Sequence, residues 1–231
     1  MSSSNSKKAI SLGKRGIPLV IAGLPQAGKT TFVQRLLTGK FKKTSATMGV
    51  NFETVKIEGI KFDIFDLGGH QTFRDTIWTN YIKMAYGFIF IIDSSDTNNF
   101  SLAKKEFWRC VDLKEEDEEF LILFICNKSD LTESESLETI INELELYKLS
   151  EKINASYYFI KTSMKNGENV KESLNWLQNN TQKIASNKRI TPLMFSLTET
   201  NGLPIIELDR IGLKEDPSLI SGFLSAINSF S

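Results

Sequence analysis

The stretch Gly23-Leu24-Pro25-Gln26-Ala27-Gly28-Lys29-Thr30 decides the fold, because it fits the pattern G-x-x-x-x-G-K-[ST]. It follows the apolar run Ile17 to Ala22 and opens the helix-like stretch Lys29 to Thr38, which is the strand-loop-helix context that makes the pattern specific. Glycines let the backbone N–H groups surround phosphate oxygens, and a helix N-terminus adds positive potential. We therefore predict a phosphate-binding loop rather than an ordinary glycine-rich turn.

The residues of this loop receive separate roles. Lys29 is expected to reach the β- and γ-phosphates and to assist catalysis, and the Thr30 hydroxyl is expected to hold Mg²⁺. Pro25 has no N–H, so the loop contributes one donor fewer. The predicted phosphate contacts are Gly23, Gln26, Ala27, Gly28, Lys29, Thr30 and Thr31.

Strand-like and helix-like stretches alternate along the chain, which predicts an α/β fold with a mostly parallel six-stranded sheet and helices on both faces. The two strands that meet at Glu58-Gly59 are predicted to form a hairpin. The predicted strands are Ile17 to Ala22, Val50 to Glu58, Ile60 to Asp66, Tyr86 to Asp93, Phe120 to Asn127 and Tyr157 to Thr162. The predicted helices are Lys29 to Thr38, Asn99 to Leu113, Ser134 to Tyr147 and Asn169 to Ile184.

A phosphate-binding loop alone would suit an ATPase or a nucleoside kinase equally well. A second motif predicts which nucleotide base is bound. Asn127, Lys128 and Asp130 follow a buried-looking strand, at the end where open α/β sheets bind ligands. The Asp130 carboxylate can accept hydrogen bonds from N1–H and N2–H of guanine, a pairing that adenine cannot offer. We therefore predict a site for GTP and GDP.

A third motif, Asp66-Leu67-Gly68-Gly69-His70, ends a predicted strand. Asp66 is expected to hold the Mg²⁺ shell, and Gly69 is expected to offer its N–H to the γ-phosphate. Thr47 is the natural second metal hydroxyl, so the predicted metal residues are Thr30, Thr47 and Asp66. Loss of the γ-phosphate would remove the Thr47 and Gly69 contacts, which predicts a nucleotide-dependent switch.

These motifs together resemble the small GTPases of the Ras superfamily, and within them the Arf/Sar branch. Thr47 to Thr54 resembles the first switch of Arf proteins, and Asp66 to His70 resembles the Sar type. Thr162 to Asn169 is similar to the fifth guanine-nucleotide motif, which implies that Ser163, Met164 and Lys165 contact the base. The resemblance covers residues 16 to 185 and implies a P-loop GTPase fold, Mg²⁺ dependence, and activating and exchange proteins as partners.

The resemblance also marks two departures. Three aromatic positions of the Arf effector surface fall on Val50, Phe65 and Tyr81, so the first aromatic is lost. His70 stands where most small GTPases have a glutamine that positions the attacking water, and we expect His70 to take that role with slow hydrolysis. An arginine from a partner would raise the rate by about 10³ to 10⁵. For Arg74, an ordinary ion pair is favoured over a finger in cis.

Composition narrows the class of protein further. The 28 basic residues balance the 28 acidic ones, so no overall field favours nucleic acid as a partner. The two cysteines, Cys110 and Cys126, have apolar or aromatic neighbours and predict reduced core thiols. The apolar runs are shorter than the roughly 20 residues that cross a bilayer. We expect a cytoplasmic protein; peripheral membrane association is left open, since residues 11–16 are short and polar.

The tail predicts a ββα extension. Residues 192–198 and 203–208 alternate around Asn201-Gly202, a strong hairpin signal, and Asp216-Pro217 precedes one apolar helical face from Leu219 to Phe230. This order resembles the opening of a longin or roadblock module. The predicted domains are a polar leader at 1–15, a GTPase domain at 16–187 and an extension at 188–231, which is expected to pack on the domain, pair with a partner or dimerise, or begin a longer module.

Three functions compete at this point. The favoured function is a GTPase whose slow turnover times a molecular switch. The second is a GTP-locked scaffold in which the extension mediates partner pairing. The third, a metabolic phosphotransferase, lacks a recognisable lid of arginines and does not explain the Asn127 to Asp130 motif.

Overall fold

The computed structural model describes residues 16–57, 59–114, 119–152 and 155–187, and two short segments at 194–198 and 204–209. Contacts divide the chain into two units, Met1–Ile184 and Ala185–Ser231. The first unit contains the main sheet, and the second contains a separate hairpin. The assignment of a GTPase domain to 16–187 and an extension to 188–231 stays a prediction.

Six strands form the main sheet, in the order β2-β3-β1-β4-β5-β6. Only β2 and β3 pair antiparallel, and the other four pairings are parallel. The predicted mostly parallel sheet and its hairpin are confirmed. The strands are β1 (Ile17–Ala22), β2 (Val50–Ile57), β3 (Ile60–Leu67), β4 (Gly87–Asp93), β5 (Phe120–Asn127) and β6 (Ala155–Lys161).

Seven α-helices connect the described strands and follow them, with 3₁₀ turns at Thr97–Asn99 and Leu146–Lys148. The helices are α1 (Lys29–Thr38), α2 (Gln71–Thr76), α3 (Trp78–Met84), α4 (Phe100–Asp112), α5 (Leu137–Glu143), α6 (Leu149–Lys152) and α7 (Val170–Asn187). None of these helices combines the length and apolar character needed to cross a membrane.

One predicted helix differs from the structure, and three short helices, α2, α3 and α6, were not predicted. The helix expected over Ser134 to Tyr147 is broken: it starts after Ser136, whose Oγ accepts a hydrogen bond from Thr139 N at 3.0 Å, and it ends before Glu145, which has a φ of 55°. A Ser N-cap and a left-handed residue are local stop signals that override helical periodicity.

Both faces of the sheet are covered, because consecutive residues of β4 and β5 are buried. On one face, Phe107 of α4 packs between the strands. Its ring centroid lies 5.4 Å from that of Phe90 and 5.2 Å from that of Phe124. Cys110 and Cys126 are buried free thiols, which confirms that prediction, and burial raises the pKa of both.

The parallel strands end at one edge of the sheet, and this places the motifs together. Asp93 at the end of β4 pairs with Asn127 at the end of β5, and Ile21 of β1 pairs with Asp66 of β3. The loops that follow β1, β3, β5 and β6 therefore converge at the carboxyl ends, where open α/β sheets bind ligands.

The second unit contains β7 (Met194–Thr198) and β8 (Pro204–Asp209), which pair antiparallel. Phe195 lies opposite Leu208, and the register shifts between Leu197 and Thr198. The predicted antiparallel pairing of these two stretches is confirmed, and the predicted turn at Asn201-Gly202 lies outside the described residues. The predicted tail helix at 219–230 lies outside the described residues.

Candidate nucleotide-binding site

The loop between β1 and α1 needs its glycines for two reasons, backbone conformation and close packing. Gly23 has a φ of 140°, and a Cβ there would lie 2.1 Å from the Ile91 carbonyl oxygen. Gly28 has a φ of 99°, and its Cβ would lie 2.2 Å from Asn127 Nδ2. No side chain caps the N-terminus of α1, so its first N–H groups are available to an anion.

Lys29 lies inside this loop and is 6% exposed. Its ammonium donates to the carbonyl oxygens of Gly23 and Leu24, at 2.9 and 2.8 Å. Burial lowers the pKa of Lys29 to about 8, and the nearby Asp66 carboxylate opposes that shift. An anionic phosphate beside Lys29 would favour its charged form.

Two hydroxyls and one carboxylate meet beside the loop between β1 and α1. Thr30 Oγ1 donates to Asp66 Oδ2 at 2.6 Å, and Thr47 Oγ1 donates to the same oxygen at 3.2 Å. The two threonine hydroxyls are 2.7 Å apart. Asp66 is 1% exposed, and its Oδ1 has no hydrogen-bond partner among the described residues. Burial raises the pKa of Asp66.

This donor set fits Mg²⁺, which prefers hard oxygen ligands. A buried carboxylate oxygen without a partner is costly unless an ion or water satisfies it, and Asp66 Oδ1 is such an atom. The structure thus brings together the three residues that the sequence predicts for the metal.

Asn127 joins three parts of the site at the end of β5. Its Nδ2 donates to the Ala27 carbonyl oxygen at 2.8 Å, and its Oδ1 accepts from Met164 N at 3.1 Å. Its own carbonyl oxygen accepts from Ser94 Oγ at 2.6 Å. Met164 N–H, which the fifth motif assigns to the base, is therefore engaged with Asn127. Asn127 holds the phosphate loop and the β6–α7 loop in register.

Asp130 is held in place from the β6–α7 loop. Ser163 Oγ donates to Asp130 Oδ1 at 2.6 Å, and Lys165 Nζ lies 3.5 Å from Oδ2. The Ser163 hydrogen bond is the largest cause that lowers the pKa of Asp130; a backbone hydrogen bond and the Lys165 charge lower it further, and burial opposes them. Lys128 has a φ of 67° and pairs with Asp93 at 2.5 Å. These contacts orient the carboxylate that is predicted to read guanine, and they favour its ionised form.

The loop after β3 passes close to the phosphate loop. A Cβ on Gly69 would lie 2.6 Å from Lys29 Nζ and 2.7 Å from the Gly23 carbonyl oxygen, so only glycine fits. Gly68 N donates to the Gly49 carbonyl oxygen at 2.8 Å, which links this loop to the segment that carries Thr47. The two predicted switch segments are therefore directly connected.

His70 is exposed and lines the cavity. Its ring makes no hydrogen bond with the residues that the structure describes, which leaves both nitrogens available to water. Arg74 is 6% exposed and does not line the cavity: its Nε lies 3.5 Å from Glu106 Oε1, and one terminal nitrogen donates to the Gly69 carbonyl oxygen at 3.2 Å. The predicted ion-pair role of Arg74 agrees with this geometry.

One cavity of about 450 Å³ connects these groups. Four predicted contact residues do not line this cavity, but each makes a hydrogen bond with a residue that does. They are Gly23, Ala27, Asp66 and Ser163. The other predicted site residues line it directly: Gln26, Gly28, Lys29, Thr30, Thr31, Thr47, Gly69, His70, Asn127, Lys128, Asp130, Met164 and Lys165.

Part of the cavity wall consists of residues that were not predicted as contacts. The missed residues are Pro25, Phe41, Lys43, Thr44, Ser45, Ala46 and Leu131. Most of them precede Thr47 in a segment without helix or strand, where no local pattern marks them. Only their position in the chain could have predicted them, because the segment that connects the end of α1 with Thr47 has to pass the cavity.

Comparisons with known proteins place this site in a family. The sequence model described as "Arf: ADP-ribosylation factor family" matches residues 3–181. ADP-ribosylation factor 1 of Brassica rapa subsp. pekinensis is 35% identical over 167 residues, which covers 72% of this chain and 89% of that protein. ADP-ribosylation factor 3 of Arabidopsis thaliana is 36% identical over 169 residues, with the same coverage of 72% and 89%.

Solved structures agree with this result. The Arl6 BBS3 small GTPase of Trypanosoma brucei, solved with the nucleotide analogue GppNp, aligns with a TM-score of 0.64 and 28% identity, covering 73% of this chain and 98% of that one. The mammalian SRP receptor aligns at 0.63 with 20% identity, covering 70% and 98%, and supports the fold alone. The predicted resemblance is confirmed: the chain belongs to the ADP-ribosylation factor family, whose members are GTPases that act as molecular switches.

Proposed function

We propose that the cavity binds GTP and GDP with Mg²⁺, and that the protein hydrolyses GTP slowly to time a switch. The observation that supports this most strongly is the arrangement of one cavity with two chemically distinct ends. Lys29 and Thr30 stand at the phosphate end, and Asn127 and Asp130 stand at the base end.

Guanine selection rests on Asp130. Its two carboxylate oxygens can accept from the adjacent N1–H and N2–H of guanine, and Ser163 and Lys165 keep them ionised. Adenine offers no such pair of donors. Asn127 acts indirectly, since its amide is committed to Ala27 and Met164.

Thr30, Thr47 and Asp66 would hold Mg²⁺. When bound, the ion neutralises negative charge on the phosphate oxygens. The residues of the chain supply the remaining electrostatic stabilisation: Lys29 adds a buried positive charge, and Gly69 offers a backbone N–H beside it.

Hydrolysis requires a water molecule to attack the γ-phosphorus, with GDP as the leaving group. A neutral His70 ring can accept one hydrogen bond from that water and orient it. The residues that line the cavity, all of them described, include no arginine, and Arg74 is engaged with Glu106. We infer that an activating partner supplies the arginine, which accounts for a slow intrinsic rate.

The switch follows from the connection between the two loops. Loss of the γ-phosphate would remove a ligand from the region of Thr47 and Gly69, and the Gly68–Gly49 hydrogen bond would transmit the change between them. An aromatic row lies beside this connection. The Phe65 ring centroid is 5.2 Å from that of Phe52 and 5.1 Å from that of Tyr81.

This row suggests where a partner binds. Phe52 is 55% exposed and lies two residues from Val50, on the same face of β2. Phe52 can therefore replace the aromatic side chain that position 50 lacks. We infer that effector proteins read the nucleotide state at this row.

The decisive experiment measures GTP, GDP and ATP binding and single-turnover phosphate release on the purified full chain. We expect tight, Mg²⁺-dependent binding of GTP and GDP, weak binding of ATP, and slow release of phosphate. His70→Ala should slow release roughly tenfold, since one lost hydrogen bond of about 1.4 kcal/mol in the transition state has that effect. Gln71→Ala, one residue along, serves as the matched control. Equal rates for His70→Ala and wild type would contradict the role of His70.

A second function stays open in the same experiment. Tight GTP binding without phosphate release would favour the GTP-locked scaffold. The β7–β8 sheet supports this alternative, because its described part has two strands and a two-stranded sheet is marginally stable alone. Sedimentation of the full chain with GTP and with GDP tests for dimerisation through this unit.

A further inference from the structure

Arg35 lies in the last turn of α1, at the end of this helix that points away from the phosphate loop. Its side chain is half-buried and reaches the loop between β6 and α7. There Nη1 donates to the Met164 carbonyl oxygen at 2.7 Å and lies 3.4 Å from the Lys165 carbonyl oxygen. The first of these contacts joins two parts of the chain that are 129 residues apart.

Gly167 makes room for this guanidinium. It has a φ of 94°, and a Cβ on it would lie 2.2 Å from Nη2 and 3.0 Å from Cζ of Arg35. A side chain at position 167 would therefore collide with Arg35, and glycine also adopts this φ without strain. Gly167 N donates to the Ser163 carbonyl oxygen at 2.8 Å, which closes the turn. The backbone of the loop is thus fitted to the Arg35 side chain.

The described contacts of the Arg35 side chain differ from those of two other arginines. Arg74 and Arg109 both pair with the Glu106 carboxylate. Arg35 forms no ion pair with the residues that the structure describes, and its hydrogen bonds go to the two carbonyl oxygens of the loop. Hydrogen bonds from a charged donor are roughly twice as strong as neutral ones. Arg35 is therefore a strong constraint on this loop.

Two successive peptide groups of the loop have the same orientation. The Met164 carbonyl oxygen accepts from Arg35, and the N–H of the following residue, Lys165, donates to Ser163 Oγ at 3.2 Å. The next peptide repeats this arrangement, because the Lys165 carbonyl oxygen lies near Arg35 and Asn166 N donates to Ser163 Oγ at 3.2 Å. In a trans peptide the C=O and N–H groups point in opposite directions. Arg35 on one side therefore fixes the two N–H groups on the other.

These N–H groups hold the hydroxyl that orients Asp130. Ser163 Oγ accepts from both of them and donates its own hydrogen to Asp130 Oδ1 at 2.6 Å. Arg35 itself does not line the cavity. A continuous set of hydrogen bonds thus runs from the end of α1, through the loop, to the carboxylate at the base end.

We propose that Arg35 is a positioning residue for guanine: it holds the loop between β6 and α7 so that Ser163 keeps Asp130 oriented. The proposal rests on the proposed GTP and GDP site. Helix α1 carries Lys29 and Thr30 at one end and Arg35 near the other, so one helix supports both the phosphates and the base. Because Arg35 acts at the base end, it slows the release of GDP and GTP alike.

The first test needs no nucleotide. In nucleotide-free Arg35→Ala, the amides of Met164, Lys165 and Asn166 should exchange with solvent faster than in the wild type by about three- to tenfold, because the loop opens more often. The amides of the phosphate loop should exchange at the wild-type rate. Arg35→Lys keeps one charged donor and should lie between the two proteins. Residue-resolved hydrogen exchange on the full chain measures these rates, and unchanged exchange in Arg35→Ala overturns the proposal.

The second test separates the base from the phosphates. Arg35→Ala should release labelled GDP and a labelled non-hydrolysable GTP analogue about three- to tenfold faster, which is part of the value of one charge-assisted hydrogen bond. Its affinity for tripolyphosphate with Mg²⁺, a ligand without a base, should equal that of the wild type. Lys40→Ala is the matched control, since it removes an exposed charge just beyond the same end of α1. It should match the wild type with all three ligands.

An equal loss of affinity for GDP and for tripolyphosphate in Arg35→Ala would indicate a general loss of stability and overturn the positioning role. Release of GDP at the wild-type rate would overturn it as well. Failure of the wild-type chain to bind guanine nucleotide would instead contradict the proposed function, and hydrogen exchange would still show whether Arg35 holds the loop.

Discussion

The two ends of the cavity are built in opposite ways. At the base end, Asn127 and Asp130 are satisfied by hydrogen bonds from within the protein. At the phosphate end, Asp66 Oδ1 is buried without a partner among the described residues, and the His70 ring has none either. A preformed end can recognise guanine without moving, whereas an unsatisfied end gains most from a ligand. We infer that the base end retains the nucleotide and the phosphate end senses its state.

The largest effect is expected from replacing Asn127, which tests whether the base end is preformed. Asn127→Ala should lower the free energy of unfolding of the nucleotide-free protein by about 3 kcal/mol. The reason is that two buried backbone groups, Ala27 C=O and Met164 N–H, each lose a partner at a cost of roughly 1–3 kcal/mol. Denaturant titration in EDTA measures the change. Asn127→Asp keeps the acceptor for Met164 but places a buried carboxylate oxygen against the Ala27 carbonyl oxygen, so it should lose at least as much stability.

Unchanged stability of Asn127→Ala would mean that the base end is not preformed by this amide. A loss of nucleotide affinity without any loss of stability would likewise assign Asn127 to the ligand and not to the protein. Either result would remove the contrast between the two ends.

At the phosphate end, removing the charge of Asp66 should not lower the free energy of unfolding of the nucleotide-free protein. Asp66→Asn should leave the nucleotide-free protein as stable as the wild type or more stable by about 1 kcal/mol, because it removes a buried charge that lacks full compensation. It should also abolish the dependence of GTP affinity on Mg²⁺, measured with and without a chelator. Asp63→Asn, on the same strand, is the control and should retain that dependence. A destabilised Asp66→Asn protein would show that the carboxylate stabilises the fold.

The sequence predicts the two ends of the cavity better than the wall segment before Thr47, for a physical reason. Asn127 and Asp130 follow a continuous apolar strand, and Gly28-Lys29-Thr30 follows another, so local patterns place them at the sheet edge. Phe41 and Lys43 reach the cavity only because α1 ends at Gly39 and the chain must return to Thr47. Local patterns do not encode that path.

The missed helices α2 and α3 have a similar explanation. They span six and seven residues, too short for periodicity to identify. Tertiary contacts hold them: Trp78 is fully buried and donates from Nε1 to the Gly68 carbonyl oxygen at 3.0 Å. Their position therefore depends on the conformation of the loop after β3. The sequence identified the motif in this loop but did not predict its conformation.

The smallest expected effect at the base end concerns the ionisation of Asp130. The Ser163 hydroxyl is the largest cause of the lowered pKa of Asp130, so the carboxylate accepts protons only at lower pH than usual. A lowered pKa means that the charged form is favoured, and guanine binding should be lost as the pH falls through that pKa. In Ser163→Ala the pKa rises towards its ordinary value, and the acid limb of the GDP affinity profile should move to higher pH.

At pH 7 the carboxylate is ionised in both proteins, so Ser163→Ala should weaken GDP binding by no more than about tenfold, the equivalent of one hydrogen bond of roughly 0.5–1.5 kcal/mol. Ser129→Ala is the control, because its hydroxyl donates to Glu168 and not to Asp130. Titrations of GDP affinity against pH distinguish the two. An acid limb that stays in place in Ser163→Ala would mean that the backbone hydrogen bond and the Lys165 charge, and not the Ser163 hydroxyl, keep the pKa of Asp130 low.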